Sequence, residues 1–254
     1  MKIVVIGGTG LIGSKVISRL SEQGHTAVAA APNTGVNTLT GEGVDEALAG
    51  ADVVVDVSNS PSFEDAAVLE FFTTSTTNLL AAEATAGVSH HVALSVVGTE
   101  RRPDIGYFRA KIAQEQLIEK SSIPFSVVHA TQFYEFVTRI ADEATDDAVV
   151  RIAPVAFQPI AGDDVARLVG QTAVGAPLDG HVDTAGPEQY RMDEFFRNVL
   201  AARNDAREVV TDPHAHYFGA ELADGNLVPA GPATLGAIRY EDWAAVNARP
   251  EPAR

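Results

Sequence analysis

Cysteine is absent from this 254-residue chain, so disulfides, thiolate nucleophiles and cysteine-ligated zinc are excluded together. Basic residues are scarce: 18 lysines and arginines face 34 aspartates and glutamates, for a formal net charge of −16. A surface of that sign repels phosphate backbones, which argues against a nucleic-acid partner. No apolar run approaches the roughly 20 residues of a membrane-spanning helix. A strand pattern already begins at Lys2, which leaves no space for a leader peptide, so the expectation is a cytoplasmic protein with no membrane partner. Flexible linkers, internal repeats and low-complexity segments are also missing. What remains, 46% hydrophobic and 20% charged residues, is an ordinary globular balance on a chain long enough for a sizeable core.

The chain opens on a short apolar strand, Lys2-Ile3-Val4-Val5-Ile6, that runs into Gly7-Gly8-Thr9-Gly10-Leu11-Ile12-Gly13. Leu11, Ile12, Val16, Ile17 and Leu20 then recur at helical spacing, with Ser14, Lys15, Ser18 and Arg19 on the other side. Strand, glycine turn and helix make the first half of a βαβ unit. Glycine lets backbone approach a diphosphate with no Cβ in the way, and the helix N-terminus supplies free N–H groups and partial positive charge. The turn and the start of its helix, Gly7, Thr9, Gly10, Leu11, Ile12 and Gly13, are therefore expected to hold a dinucleotide.

Strand and helix signals then alternate with short connections, the pattern of an α/β, Rossmann-type doubly wound parallel sheet. The spacing predicts strands at 25–31, 36–39, 51–57, 91–97 and 125–130, and helices at 44–49, 64–86 and 107–120, with Gly87 as a left-handed cap. From Thr131 prolines break the alternation, though helices at 163–174 and 192–203 and a strand at 181–185 are still expected. The division predicted is a dinucleotide-binding core over 1–130 and a mostly substrate-binding portion over 131–254, packed on the core as one body.

Tyr107 and Lys111 stand four apart at the start of a predicted helix and share a face. An ammonium held near a phenol lowers the phenol pKa from its usual ~10 and makes it a usable proton donor and acceptor near neutrality. Ser95 lies near the C-terminal end of the preceding strand, the end that faces the ligand crevice in an open parallel sheet. A strand serine followed by Tyr-x-x-x-Lys on the next helix is far more specific than the helix pair alone.

With those residues in view the chain resembles the short-chain dehydrogenase/reductase superfamily. The spacing of Gly7, Gly10 and Gly13 is similar to its extended and atypical branches, among them the NmrA-like proteins. Thr77-Asn78-Leu79-Leu80, Gln158-Pro159-Ile160 before Asp163-Asp164, and Ala185-Gly186-Pro187-Glu188 agree, so the likeness reaches about residue 200. It implies an NAD(P)H-dependent oxidoreductase for a small carbonyl, alcohol or quinone-like molecule. Tyr107 would be the general acid/base, Lys111 would hold the nicotinamide ribose and Ser95 would polarise the carbonyl. NmrA-like regulators imply the alternative, a non-catalytic dinucleotide-binding redox sensor, but these typically lack the active-site tyrosine. A bound-cofactor isomerase or epimerase is a third reading.

The second strand ends Ala29-Ala30-Ala31-Pro32-Asn33-Thr34, without the carboxylate that takes ribose hydroxyls in NAD-preferring sites and without the arginine common in NADP sites. NADP is the choice, with NAD as the alternative; Asn33, Thr34, Lys15 and Ser58 are the candidate polar contacts. Asp45 could reach the adenine or cap its helix. His129, Gln132, Phe133, Phe136 and Phe157 are expected to line the substrate cleft. His90-His91 starts a strand, so its rings point to opposite faces, and His214-x-His216 lies in an aromatic-rich, proline-bounded loop; no metal site is expected. The acidic stretch 142–147 reads as a solvated loop, and the two long helices could pair in a homodimer.

Overall fold

The computed structural model describes residues 1–247. Its N-terminal half runs β1 (Lys2–Ile6), α1 (Leu11–Glu22), β2 (Thr26–Ala30), α2 (Val44–Leu48), β3 (Val53–Asp56), α3 (Asp65–Ala86), β4 (His90–Val96), α4 (Gly106–Glu119) and β5 (Phe125–Ala130). Shorter pieces follow: α5 (Val137–Glu143), β6 (Thr145–Asp146), β7 (Val149–Ile152), β8 (Ala156–Phe157), α6 (Gly162–Val174) and β9 (Gly180–Ala185). The chain ends with β10 (Tyr190–Arg191), α7 (Met192–Ala202), β11 (Glu208–Thr211), β12 (His216–Tyr217), β13 (Ala220–Glu221), β14 (Thr234–Leu235) and α8 (Tyr240–Asn247).

A seven-stranded sheet in the order β2-β1-β3-β4-β5-β9-β14 organises the molecule. Its neighbours pair in parallel from β2 to β5 and again between β9 and β14. The β-branched runs of β1 and β3 are buried on both faces, as parallel strands under helices require. Val4, Ile6, Val54, Leu48 and Leu79 form one core under that sheet. The chain moves outward from β1 to β2 and then crosses to the other side of β1 for β3. The strand order therefore reverses between β1 and β3, and the crevice at the C-terminal ends of those strands is where such sheets take ligands.

Two compact units divide the chain. The first comprises Met1–Ala130 and Val165–Asp183; the second comprises Thr131–Asp164 and the residues from Thr184 onward. The chain leaves the first unit at residue 130, where the sequence places its boundary. Val165–Asp183, placed by the sequence in the C-terminal portion, sits in the first unit.

Most predicted elements are present within a residue or two, including the cap at Gly87, whose φ of 73° is left-handed. The strand expected at 36–39 is not one. Asn37 makes a single bridge to Glu42, and the carbonyls of Thr38 and Leu39 accept hydrogen bonds from the Asn78 amide of α3 at 2.9 and 3.1 Å. A side chain from a helix satisfies the backbone that a neighbouring strand would otherwise have paired. The acidic stretch is likewise built in: Asp142 pairs with Arg207 at 2.8 Å, and Thr145–Asp146 forms β6 against β7.

Candidate active site

The glycine turn is packed too tightly for side chains. Gly7 has a φ of 75°, and a Cβ there would meet the Ser58 backbone at 2.9 Å. A Cβ on Gly13 would run into the Gly7 carbonyl oxygen and lie 2.7 Å from Gly8 Cα. The helix that follows starts at Gly10 with no side-chain cap and no acidic residue in its first turn, which leaves its N–H groups and positive end for an anion. Because every obstacle around Gly13 is backbone, Gly13→Ala must displace the turn. It is expected to weaken dinucleotide binding by about 10- to 100-fold, measurable by calorimetry with NADPH, with an unchanged helical circular-dichroism spectrum. Affinity equal to wild type would show that the turn does not hold the ligand.

After β2 the chain makes a tight turn over Pro32–Thr34. Thr34 Oγ1 accepts a hydrogen bond from Ala31 N at 2.9 Å and lies 2.9 Å from Ala31 O, so the hydroxyl offered for the cofactor is engaged in closing its own turn. Asn33 Oδ1 accepts from the Thr9 hydroxyl at 3.1 Å, tying this turn to the glycine turn. Ser58 donates its hydroxyl to Asp56 at 2.6 Å, and its backbone N–H is bonded to the same carboxylate. Asp45 lies in the first turn of α2, whose N-terminus at Gly43 has no side-chain cap.

Tyr107 and Lys111 do lie on one face of α4, with Phe72 of α3 against both. The Tyr107 ring meets Phe72 edge-on at 5.9 Å, and the Lys111 ammonium lies 4.3 Å from the Phe72 ring centre. Their polar ends part company. Tyr107 donates its hydroxyl to Asn59 Oδ1 at 3.1 Å. Lys111 Nζ turns inward and donates to Leu94 O at 2.9 Å and to Gln114 Oε1. Gln114 passes the connection on to Asp56, donating to its Oδ2 at 2.9 Å. The expected depression of the tyrosine pKa is therefore corrected: burial and the negative charge of Asp56 push the phenol up, and it stays protonated at neutrality.

Burial lowers Lys111 to about 8, against the pull of Asp56 and Glu115. Its folded pKa lies below its unfolded one, so the unfolded chain binds more protons at alkaline pH and stability rises with pH from about 8 upward. Unfolded tyrosines ionise near ~10 and reverse the trend there. The unfolding free energy from urea denaturation should increase between pH 8 and 9.5 by an amount on the order of 1 kcal/mol, and Lys111→Met should flatten that slope. A slope unchanged in the variant would assign it to other groups.

Ser95 is buried, and its hydroxyl donates to Glu115 Oε1 on α4. With its hydrogen committed there, Ser95 cannot polarise a carbonyl in this arrangement. Glu115 Oε2 meets His129 Nε2 at 3.1 Å, and His129 Nδ1 meets Asp183 Oδ1 at 3.2 Å. Burial works against the imidazolium, but Glu115 and then Asp183 outweigh it and raise the His129 pKa. His129 is thus held by two carboxylates rather than presented to a substrate.

Among the other cleft candidates, all in the second unit, Phe133 stacks on the exposed Phe136 at 5.6 Å. Gln132 is buried, with neither side-chain amide atom hydrogen-bonded. Phe157 is corrected: it is wholly buried against Phe195 and Phe196 at 5.3 and 5.7 Å, a core residue with no surface for a ligand. The paired histidines fall as alternation requires. His90 bonds Ser126 at 2.8 Å, and burial with the charge of His91 lowers it to about 4; His91 bonds Glu83 at 2.8 Å on the other face. His214 pairs with Glu221 at 3.3 Å.

Asp56, Asn59, Gln114 and Glu115 escape the sequence reading. Three of them carried a signal: Gln114 and Glu115 follow Lys111 at three and four residues, on its helical face. Asp56 ends an otherwise apolar buried strand, an unusual place for a carboxylate.

Residues 7–172, more than half of the chain, match the family model described as NAD(P)H-binding. The photosystem II assembly factor Ycf39 of Synechocystis sp. is 22% identical over 149 residues, covering 53% of this chain and 46% of Ycf39, so the chain matches under half the length of that curated relative. Solved structures share the fold at low identity. MoeE5, in complex with UDP-glucose and NAD, superposes with a TM-score of 0.73 at 17% identity over 96% of each chain. The dTDP-glucose 4,6-dehydratase DesIV of Streptomyces venezuelae, with NAD and TYD bound, reaches 0.70 at 15% identity over 97% of this chain and 98% of its own. The Thermus thermophilus UDP-glucose 4-epimerase, in complex with NAD, reaches 0.67 at 18% over 100% and 95%. Among the described residues no helix is long and apolar enough to cross a membrane.

Proposed function

The chain belongs to the NAD(P)H-binding family, and we propose that it is an NADPH-dependent reductase of the short-chain dehydrogenase/reductase type for a small carbonyl or quinone-like substrate, with Tyr107 as the proton donor. The observation that carries this reading is the link between Tyr107 and the glycine turn. The phenol is hydrogen-bonded to Asn59, and the adjoining Ser58 backbone lies where a Cβ on Gly7 would touch it. The proton donor is thereby tethered to the loop that packs on the dinucleotide turn.

When bound, the reduced nicotinamide supplies a hydride to the carbonyl carbon. The chain's part is to orient the substrate and deliver a proton. Burial and Asp56 keep the phenol protonated at neutrality, so Tyr107 has a hydrogen to pass to the oxygen as negative charge develops there, once that hydrogen leaves Asn59 Oδ1. Tyr107 takes this role without Ser95, whose hydrogen is on Glu115. Two of the three Lys111 ammonium hydrogens go to Leu94 O and Gln114; the third is available to a ribose hydroxyl. NADPH is favoured over NADH because no carboxylate follows β2 to repel a 2′-phosphate.

The test is a screen of NADPH and NADH oxidation over aldehydes, ketones and quinones, beside direct binding of both cofactors. Turnover of at least one substrate class, faster with NADPH, is the expected result. Tight NADPH binding with no turnover on any class would replace the reductase by a dinucleotide sensor.

A further inference from the structure

His129, His181 and Asp183 meet where β5 and β9 lie side by side in the first unit. His181 and Asp183 are two apart on β9 and share its face. The His181 ring stacks on His129 with centres 4.8 Å apart, and one ligand atom from each of the three residues lies within 4.8 Å of the other two.

The hydrogen bonds around His129 determine what this cluster can accept. Glu115 takes the Ser95 hydroxyl on Oε1 and faces His129 Nε2 with Oε2, so it accepts on both sides. The hydrogen between Glu115 and His129 therefore belongs to Nε2. With a hydrogen on Nε2, His129 turns Nδ1 toward Asp183 Oδ1, 3.2 Å away, where each atom has a lone pair to offer a cation. Two lone pairs at that distance require a cation between them, either a proton or a metal ion.

The geometry suits a metal. Two ligands each about 2.1 Å from a tetrahedral ion stand roughly 3.4 Å apart, close to the observed spacing of the His129 and Asp183 atoms. His181 is exposed, so its ring is free of the packing that would oppose a swing from the stack to complete the set. Glu115 stands where metal-binding histidines keep a carboxylate on their second nitrogen, fixing tautomer and ring orientation. We propose that His129, His181 and Asp183 bind one divalent transition-metal ion of the zinc and cobalt class, oriented through Glu115 and with a fourth position open to water or a ligand. Two imidazoles and one carboxylate select such ions over magnesium or calcium, which take oxygen ligands. The site is independent of the proposed reductase chemistry.

The test uses full-length, tag-free, metal-stripped protein titrated with Co²⁺ alone, followed by its visible absorption, and then with Zn²⁺ as competitor. One saturable Co²⁺ per chain, displaced by Zn²⁺, is expected. Glu115→Gln should weaken binding by about 10- to 100-fold, and His181→Ala and Asp183→Asn by more. The exposed His181 makes the alanine variant one that folds as wild type, checked by thermal melting without metal. Binding should survive His214→Ala, which removes a histidine elsewhere on the chain. No saturable Co²⁺ uptake between pH 6 and 8 would show that a proton alone fills the gap. Binding unchanged in His181→Ala would place the ion elsewhere. Either result overturns the proposal.

Discussion

Tyr107→Phe is expected to lower kcat by about 10²- to 10⁴-fold while leaving NADPH affinity within a factor of about two, the range of a lost general acid. The structure makes this a clean substitution. The ring is held by stacking on Phe63 at 5.6 Å and by its edge contact with Phe72, and phenylalanine keeps both. The single hydrogen bond lost is the one to Asn59 Oδ1, which still accepts from Ser60 N at 2.9 Å. Stability should therefore change by no more than about 1 kcal/mol. The loss should fall on kcat rather than KM, because the proton is delivered as the oxygen gains charge and not when substrate binds. The raised phenol pKa adds a further sign: wild-type kcat should show no fall assignable to tyrosine ionisation up to pH 9. A phenylalanine variant that turns over like wild type would remove Tyr107 from the chemistry while leaving the dinucleotide site intact.

Removing Glu83 is expected to cost about 3–5 kcal/mol of folding stability, the penalty of stranding one member of a buried ion pair. Glu83 on α3 and His91 on β4 are fully buried, and both carboxylate oxygens lie within 3.0 Å of His91 Nδ1. Burial opposes a charged His91, yet Glu83 and, more weakly, Asp56 raise its pKa. Its contribution is thus fully present below the unfolded value of about 6.5 and is lost only as pH rises through the higher folded value. His91 Nε2 has no partner, so the carboxylate is what compensates the buried ring. Urea denaturation of Glu83→Ala at pH 6 should show the loss, a large share of the roughly 5–15 kcal/mol typical of a whole domain. Replacing both partners by apolar side chains of similar volume, Glu83→Met with His91→Phe, should recover most of it, since no buried charge is left unpaired. A single substitution within about 0.5 kcal/mol of wild type would mean that the pair contributes nothing net.

The features legible in the sequence are those made by near neighbours. Gly7 to Gly13 announce a strand–turn–helix because each glycine meets an obstacle within the turn or beside it. Tyr107 and Lys111 announce a shared face because four residues make one helical turn. The third strand expected at Val36 fails for a tertiary reason: Asn78, forty residues away, takes its carbonyls. Phe157 looks like a cleft residue by its place in the chain, and only the aromatic packing with Phe195 and Phe196 turns it into core.

The sequence by itself determined the parallel α/β framework, the glycine turn and the helix bearing Tyr107 and Lys111, because local spacing and backbone sterics specify all three. Only the tertiary structure decided what those side chains do. Lys111 is directed to Leu94 and Gln114, Ser95 to Glu115, and the phenol pKa rises because Asp56 and burial act on it. Proton affinities depend on charge and solvent within a few ångströms, and neighbours at that range are chosen by the fold rather than by position along the chain.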